Sequence, residues 1–112
     1  MKRIDCIIRP TKIEDVKESL NKIGVNGMTV SQVLGYGMQK GHKHSYRGNE
    51  YNVNLLPKIM VSIVIDDEML DSAIDSIIEG SRTGEIGDGK IFIYNVEEAI
   101  RIRTGEKGKE AL

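Results

Sequence analysis

The chain has 112 residues and a mass of 12.5 kDa, which fits one domain with one hydrophobic core. Charged residues make up 29% of it but nearly cancel to a net charge of −1, which argues against general attraction to nucleic acid or anionic lipid. One Phe, four Tyr and no Trp leave few rings on which bases could stack, so nucleic acid is not an expected partner. No apolar run approaches the ~20 residues of a membrane span and no signal peptide is evident, so we expect a cytoplasmic protein.

The start of the chain predicts a strand followed by a helix. Ile4, Cys6 and Ile8 alternate with other residues at the period of a strand that has one face in a core. We expect Cys6, the single cysteine, to be a buried small hydrophobic residue and not a nucleophile. Residues 11–14 read as a capping box that begins a helix, and Gly24 is suited to end it in a left-handed conformation.

The remaining elements are predicted from the same two periods. Alternation of apolar residues marks strands, and apolar residues at helical spacing mark a second helix. In chain order these are strands over 28–36 and 59–65, a helix capped by Asp66 or Asp67 that closes near Gly80, a strand over 91–96 and a short fifth strand over 100–103. The order β-α-β-β-α-β predicts an α+β, ferredoxin-like fold, in which both helices pack on one face of an antiparallel sheet.

The other face of this sheet is predicted to be apolar as well. It would carry Ile7, Val33, Met60, Val64 and Phe92, which are too hydrophobic to remain in water. We therefore expect the sheets of several subunits to pack together.

Residues 37–57 show neither period, and so long a segment inside a small domain is expected to have a function. Its polar sequence gives little to bury, so we expect a loop that is mobile until a partner binds it. His42 and His44 are a weak metal-site candidate, since two ligands on a flexible loop do not complete a site. The basic residues and tyrosines of the loop suit docking or modification: Lys40, Lys43, Arg47, Tyr46 and Tyr51.

Residues 82–90 predict an anion site, because three glycines expose backbone amides beside several cations, with Arg101 and Arg103 following shortly after. The stretch 84–90 reads G-x-x-x-x-G-K, but Ile91 replaces the Ser or Thr of a P-loop and a strand pattern follows. A phosphate-binding loop of another fold is the interpretation we favour. The alternatives are an ordinary turn before a strand and, for the two arginines, the solvent face of an edge strand.

Many of these stretches together resemble the PII nitrogen-regulatory signal-transduction proteins, essentially from end to end. The two most specific are 46–51 and 83–92. The residues that carry the resemblance are Ile8-Arg9-Pro10 with Lys12, 30–37, Gln39-Lys40-Gly41, Tyr46-Arg47-Gly48 with Glu50-Tyr51, Leu56-Pro57-Lys58, 83–84, 87–92 and 101–105.

The resemblance implies a homotrimer of single 1–112 domains whose sheets line the centre, with ATP or ADP in each cleft between subunits. Residues 37–57 would be the partner-docking loop, 82–90 the phosphate-binding loop, and 101–112 a C-terminal segment whose arginines reach the phosphates from the neighbouring subunit. Guanidinium groups suit phosphate oxygens. The implied nucleotide-binding residues are Gly27, Met28, Thr29, Gly35, Gly37, Met38, Val64, Gly87, Asp88, Gly89, Lys90, Arg101 and Arg103.

The resemblance also implies a 2-oxoglutarate site. Gln39 would coordinate Mg²⁺ together with ATP and the acid, and Lys58 would pair with one of its carboxylates. The backbone near Lys40, Gly41 and Gly87 would complete the site. Met38 departs from the arginine of many relatives, which bears on ATP/ADP discrimination.

The implied function is regulation without chemistry. Nucleotide and 2-oxoglutarate would select loop conformations that partners recognise. The implied partners are an ammonium channel, glutamine synthetase or its adenylyltransferase, and a uridylyltransferase that acts on Tyr51. The protein would dock to the channel through Arg47, and this would be its only contact with a membrane. The alternatives are a nucleotide-hydrolysing enzyme using Glu85 and Asp88, and a nitrogenase-type regulator of the same fold.

Overall fold

The structure is a computed structural model that describes residues 1–36, 44–46, 49–51 and 55–112. Within these ranges there are two α-helices and six strands. The strands are β1 (Lys2–Ile8), β2 (Thr29–Tyr36), β3 (His44–Tyr46), β4 (Asn49–Tyr51), β5 (Leu55–Ile65) and β6 (Gly89–Asn95), and the helices are α1 (Ile13–Lys22) and α2 (Leu70–Ser81). Among these residues, no helix has both the length and the apolar character that a bilayer crossing requires.

Four strands form the central sheet in the order β2-β5-β1-β6, and every neighbouring pair is antiparallel. The hairpin β3-β4 is a separate sheet of two strands. Each helix connects two strands that are not neighbours, since β5 lies between β1 and β2, and β1 lies between β5 and β6. This confirms the ferredoxin-like α+β prediction.

The core lies between the sheet and the two helices. α1 contributes Val16 and Leu20 and α2 contributes Ala73 and Ile77, each at most 1% exposed. They pack with alternate residues of the strands, which include Ile4, Cys6, Ile8, Val61, Ile63 and Ile65. The prediction of a buried Cys6 is confirmed, and burial raises the pKa of its thiol to about 11.

The end of α1 matches the prediction, but its beginning does not. The predicted capping box is wrong, because a 3₁₀ turn over Pro10–Lys12 precedes α1 and no side chain caps either element. Pro10 sits at the start of that turn, where its fixed φ suits a helical beginning. The end of α1 is as predicted: Gly24 has φ +91°, and the amide of Val25 bonds the Leu20 carbonyl at 3.0 Å.

The start of α2 uses a carboxylate. The side chain of Asp66 accepts a hydrogen bond from the amide of Asp67 at 2.9 Å, and a 3₁₀ turn then leads into the helix. Asp66 was one of the two predicted caps, and it is the one observed.

The sheet face opposite the helices is mostly apolar, and none of the residues that the structure describes covers it. Ile7 pairs with Met60 in the register, while Val64 and Phe92 are 37% and 46% exposed. Asp5 is the exception among these apolar residues, since it lies on this face with only 6% exposure.

The carboxylate of Asp5 accepts hydrogen bonds from Arg3 Nε at 2.9 Å and Ser62 Oγ at 2.6 Å. Burial would raise its pKa, but these two bonds, together with the positive charge of Arg3 and a hydrogen bond from Tyr94, hold the pKa below its ordinary value. Asp5 is therefore a satisfied charge at the middle of an apolar face.

Several strands differ from the predictions. Residues 55–57, predicted as the end of a long loop, belong to β5, and β3 and β4 lie within the same predicted loop. β6 begins at Gly89, two residues earlier than predicted. The fifth strand is wrong, because only an isolated bridge joins Ile100 to Lys107 around a turn that has Gly105 at φ +73°.

Candidate functional site

The glycine-rich loop lies between α2 and β6, and its backbone requires glycine. Three of its glycines have positive φ angles, a backbone conformation that residues with a side chain rarely adopt. The values are +89° for Gly84, +102° for Gly87 and +111° for Gly89. At Gly89 a Cβ would lie 1.7 Å from the carbonyl oxygen of Ile7. The loop therefore approaches β1 more closely than any side chain permits.

Asp88 organises this loop from within. Its carboxylate accepts hydrogen bonds from the amides of Thr83 and Gly84, each at 2.8 Å, and from the Thr83 hydroxyl. Arg9 Nε, from the end of β1, donates to it at 3.2 Å. The bond from the Thr83 hydroxyl, helped by the two amides and Arg9 and opposed by burial, holds the pKa of Asp88 well below its ordinary value.

Two cations, Arg9 directly after β1 and Lys58 of β5, bond to carbonyls of the same loop. Arg9 Nη2 donates to the carbonyl of Ile86 at 2.8 Å, and Lys58 Nζ donates to the carbonyl of Gly87 at 2.9 Å. Burial and the positive charge of Arg9 lower the pKa of Lys58, while Asp88 partly opposes them. Two carbonyls of the loop are thus bonded to side chains from other parts of the fold.

The amides of Ile86 and Gly87 make no hydrogen bond to the part of the chain that the structure describes. Successive amides beside a residue of positive φ form a concave anion site, and Lys90 adds a cation at the start of β6. The arrangement is therefore chemically suited to bind phosphate or carboxylate oxygens.

An open cavity of about 620 Å³ lies beside the loop on the uncovered sheet face. It brings together residues from β2, β5, the loop and β6, including Gly35, Lys58, Gly87, Gly89 and Lys90. Gly35 leaves room for the stem of Lys58, since a Cβ there would lie 3.1 Å from Lys58 Cγ. Lys90, which was predicted to bind phosphate, and Lys58, which was predicted to bind 2-oxoglutarate, thus line the same cavity, together with Gly87, which was predicted for both ligands.

The other predicted nucleotide residues lie at the opposite end of the sheet. Thr29 pairs with Ser62 whereas Gly35 pairs with Leu56, so the two ends of β2 are about 20 Å apart at ~3.4 Å per residue. Gly27 and Met28 immediately precede Thr29, and Val64 lies two residues beyond Ser62 on β5.

The C-terminal segment lies at that same far end. Lys109 pairs at 3.0 Å with Asp66, which directly follows β5. Arg101 is held by Glu106 at 3.2 Å, whereas Arg103 makes no ion pair within the described ranges. Within one chain, the predicted nucleotide residues thus form two groups. The near group lies at the glycine-rich loop, and the far group lies at the other end of β2. The near group is Gly35, Gly87, Asp88, Gly89 and Lys90, and the far group is Gly27, Met28, Thr29, Val64, Arg101 and Arg103.

Several predicted residues fall outside the described part of the chain. These are Gly37, Met38, Gln39, Lys40, Gly41, His42 and Arg47. Tyr51 and His44 are described only as backbone in β4 and β3. Within the described residues no cluster of three or more metal-ligating side chains occurs.

The sequence did not assign a role to Arg9 or to the side chain of Thr83. Both belong to stretches that carry the family resemblance, but no periodic signal marks them. Arg9 meets Asp88 across 79 positions of sequence, so only the fold brings them together.

The fold and the loop define a class: a ferredoxin-like domain with a glycine-rich loop before its last strand. The family model described as nitrogen regulatory protein P-II matches residues 1–106. The chain therefore belongs to the nitrogen regulatory protein P-II family.

Individual relatives agree with the family assignment. Over 112 residues and 100% of both chains, this chain is 54% identical to nitrogen regulatory protein P-II of Haemophilus influenzae, 53% to that of Rhodospirillum rubrum and 52% to P-II 1 of Escherichia coli K12. It is similar in structure to Arabidopsis thaliana PII bound to citrate, with a TM-score of 0.81 and 40% identity over 99% of this chain and 91% of that one.

Proposed function

We propose that this chain reports nitrogen, carbon and energy status by binding ATP or ADP and 2-oxoglutarate, and that it regulates ammonium transport and glutamine synthesis by docking to proteins. Mg²⁺ would bind with ATP and 2-oxoglutarate. The ligands would shift the populations of residues 37–57, and partners would select among the resulting conformations. Family membership and the names of the relatives support a regulatory role in nitrogen metabolism.

The division of the site into near and far groups is the observation that carries this proposal. A nucleotide at the glycine-rich loop of one subunit would reach the far group only if a second subunit supplies it, since the groups lie at opposite ends of β2. The uncovered apolar sheet face supports association, and a cyclic homotrimer with head-to-tail contacts would form three such clefts.

The chemistry of the near group supports phosphate as its ligand. The Gly87 amide and Lys90 supply a hydrogen-bond donor and a positive charge, and Arg103 of a neighbouring subunit would add a guanidinium. Lys58 lines the same cavity and supports binding of a dicarboxylate. The citrate of the Arabidopsis thaliana PII structure is a carboxylate ligand of a relative and supports the same class of compound.

We propose no catalytic activity for this site. The carboxylate of Asp88 accepts four hydrogen bonds and its pKa lies well below the ordinary value, so it is a poor base for activating water. The named relatives are regulatory proteins, which also favours a regulator over a hydrolase and the general type over a nitrogenase-type regulator.

The proposed partners are those implied by the family. They are an ammonium channel contacted through Arg47, glutamine synthetase or its adenylyltransferase, and a uridylyltransferase that would modify Tyr51. A bulky anionic group on Tyr51 would change which partners can dock. Capture of these proteins on the immobilised chain, with ATP plus 2-oxoglutarate or with ADP, tests the list; capture that does not respond to either ligand set would contradict it.

Mixing of two variants tests the shared site. Lys90→Ala removes a cation of the near group and Arg103→Ala one of the far group, so each homotrimer should bind ATP weakly at every site. After subunit exchange in an equal mixture, about one quarter of the sites would combine two intact halves from different subunits and regain wild-type affinity. Calorimetry counts these sites.

The matched control mixes Arg101→Ala with Arg103→Ala. Both changes fall in the far group, so no subunit supplies an intact far half and no site should recover. Failure of the first mixture to recover any sites, although subunits exchange, would contradict a site shared between subunits. A wild-type protein that binds neither ATP nor ADP would refute the proposed function itself. A second titration with 2-oxoglutarate should show binding only when MgATP is present.

A further inference from the structure

Asp88 places a negative charge inside a loop that otherwise attracts anions. Two coulombic effects oppose each other there: Lys90 attracts phosphate, while a carboxylate a few residues away repels it. This carboxylate accepts four hydrogen bonds, from the Thr83 amide and hydroxyl, the Gly84 amide and Arg9, which match the roughly four acceptor positions of its two oxygens. Its bonding capacity is therefore used within the chain.

We propose that Asp88 is a positioning residue, which holds residues 83–88 in the shape that presents the Gly87 amide and Lys90 to a phosphate, and that its side chain does not contact the ligand. This inference rests on the proposed function of the loop as a phosphate site. It divides the roles of neighbouring residues, because glycine amides and Lys90 bind while Asp88 and Thr83 shape the loop.

The geometry supports this division. The two ends of the loop are joined through Asp88, since residues 83 and 84 donate to a side chain four or five positions later. The Thr83 hydroxyl also accepts from the Glu85 amide at 3.2 Å, which closes the turn from the other side. Arg9 ties the assembled loop to the end of β1. A loop fixed before binding loses less conformational entropy when a ligand arrives.

Because Asp88 is charged, electrostatics and loss of positioning predict opposite changes in ADP affinity when the residue is replaced. Asp88→Asn removes one negative charge beside the phosphates, so electrostatics alone predicts tighter binding of ADP. Loss of positioning predicts weaker binding, because the new amide group offers donors where Arg9 and the Thr83 hydroxyl already donate. We expect ADP to bind about 10-fold more weakly, as for a lost hydrogen bond to a charged group.

Glu85→Gln is the matched control. It removes the same charge from the same loop, but Glu85 is exposed and its side chain makes no ion pair or hydrogen bond within the described residues. We expect its ADP affinity to be unchanged or higher. Titrations in EDTA exclude a role through Mg²⁺. The proposal would be overturned if Asp88→Asn bound ADP as tightly as the wild type, or if it lost affinity only in the presence of Mg²⁺.

Thr83 gives an independent variant in case Asp88→Asn folds poorly. Thr83→Val removes the hydroxyl donor and should also weaken ADP binding about 10-fold, whereas Thr83→Ser keeps the hydroxyl and should restore it. The double variant of Thr83→Val and Asp88→Asn should lose little more than either single one, since both break the same contact. Fully additive losses would show that the two residues act separately.

Amide hydrogen exchange without ligand separates this inference from the proposed function. The Thr83 and Gly84 amides should be protected in the ligand-free wild type and should exchange at least 10-fold faster in Asp88→Asn, with Glu85→Gln as wild type. If the Thr83 and Gly84 amides of the wild type were unprotected, the positioning role of Asp88 would be overturned, whichever ligand the loop binds. Protected amides in a protein that binds no nucleotide would instead refute the proposed ligand.

Discussion

Gly89 permits a sharp test of the contact between the glycine-rich loop and β1. A Cβ built on Gly89 would lie 1.7 Å from the Ile7 carbonyl oxygen, about 1.7 Å short of ordinary contact at 3.4 Å. Backbone cannot give way as a flexible side chain can, so Gly89→Ala must push the start of β6 away from β1.

The expected cost combines two effects. An L-residue at φ +111° is strained by about 1–2 kcal/mol. Separation of β6 from β1 near Ile8 would break about two ladder hydrogen bonds, at about 1 kcal/mol each. We expect Gly89→Ala to lower the free energy of unfolding by about 3–4 kcal/mol.

Gly84→Ala is the control for backbone strain. Gly84 has φ +89° in the same loop, but a Cβ there would meet nothing within 4 Å. It should cost only the strain, about 1–2 kcal/mol. Urea unfolding at one protein concentration, with and without ADP, measures both variants. Equal losses, within about 0.5 kcal/mol, would refute the close approach as the reason for glycine at position 89.

Two further predictions concern the core. Gly80→Ala should lower the free energy of unfolding by about 1–3 kcal/mol, because its Cβ would lie 3.0 Å from the backbone of Asp15 and Val16 on α1; an unchanged urea midpoint would contradict this packing. Cys6 has a folded-state pKa raised from 9.0 to about 11 by burial, so the folded state holds the thiol proton more tightly. Its contribution to stability is complete below pH 9 and is lost as the pH rises toward 11, by roughly 2–3 kcal/mol. Unfolding measured across that range should show a smaller alkaline loss in Cys6→Ala, and equal losses in both proteins would be inconsistent with the shift.

The sequence predicted the elements whose periodicity is set by the core. Ile4, Cys6 and Ile8 alternate because one face of β1 is buried, and the capping residues Gly24 and Asp66 satisfy backbone groups locally. Local patterns carry this information because neighbouring residues determine them. Because proline usually interrupts a strand, Pro57 led to a predicted start of β5 that is later than the observed start at Leu55. Before Ile59, however, β5 pairs only with β2, so its other edge needs no donor there.

The site was only partly predictable. Glycines and cations at 82–90 indicated an anion site from composition alone, but the contacts of Asp88 with Arg9 and of Gly87 with Lys58 span 79 and 29 positions. No local pattern encodes such contacts. The separation of Thr29 from Gly35 by the length of β2 likewise required the strand register.

The hydrogen bond from Lys58 to the carbonyl of Gly87 has a consequence for how the two ligands would communicate. The ammonium group has three donors, and a carboxylate arriving in the cavity competes for the one that now stabilises the loop. Any rearrangement of that bond would act directly on the peptide unit next to the Gly87 amide, which we propose as a phosphate donor. By linkage, if the proposed nucleotide bound and stabilised this peptide, it would in turn change the affinity of Lys58 for the proposed acid, so a single hydrogen bond would couple the carbon and energy signals.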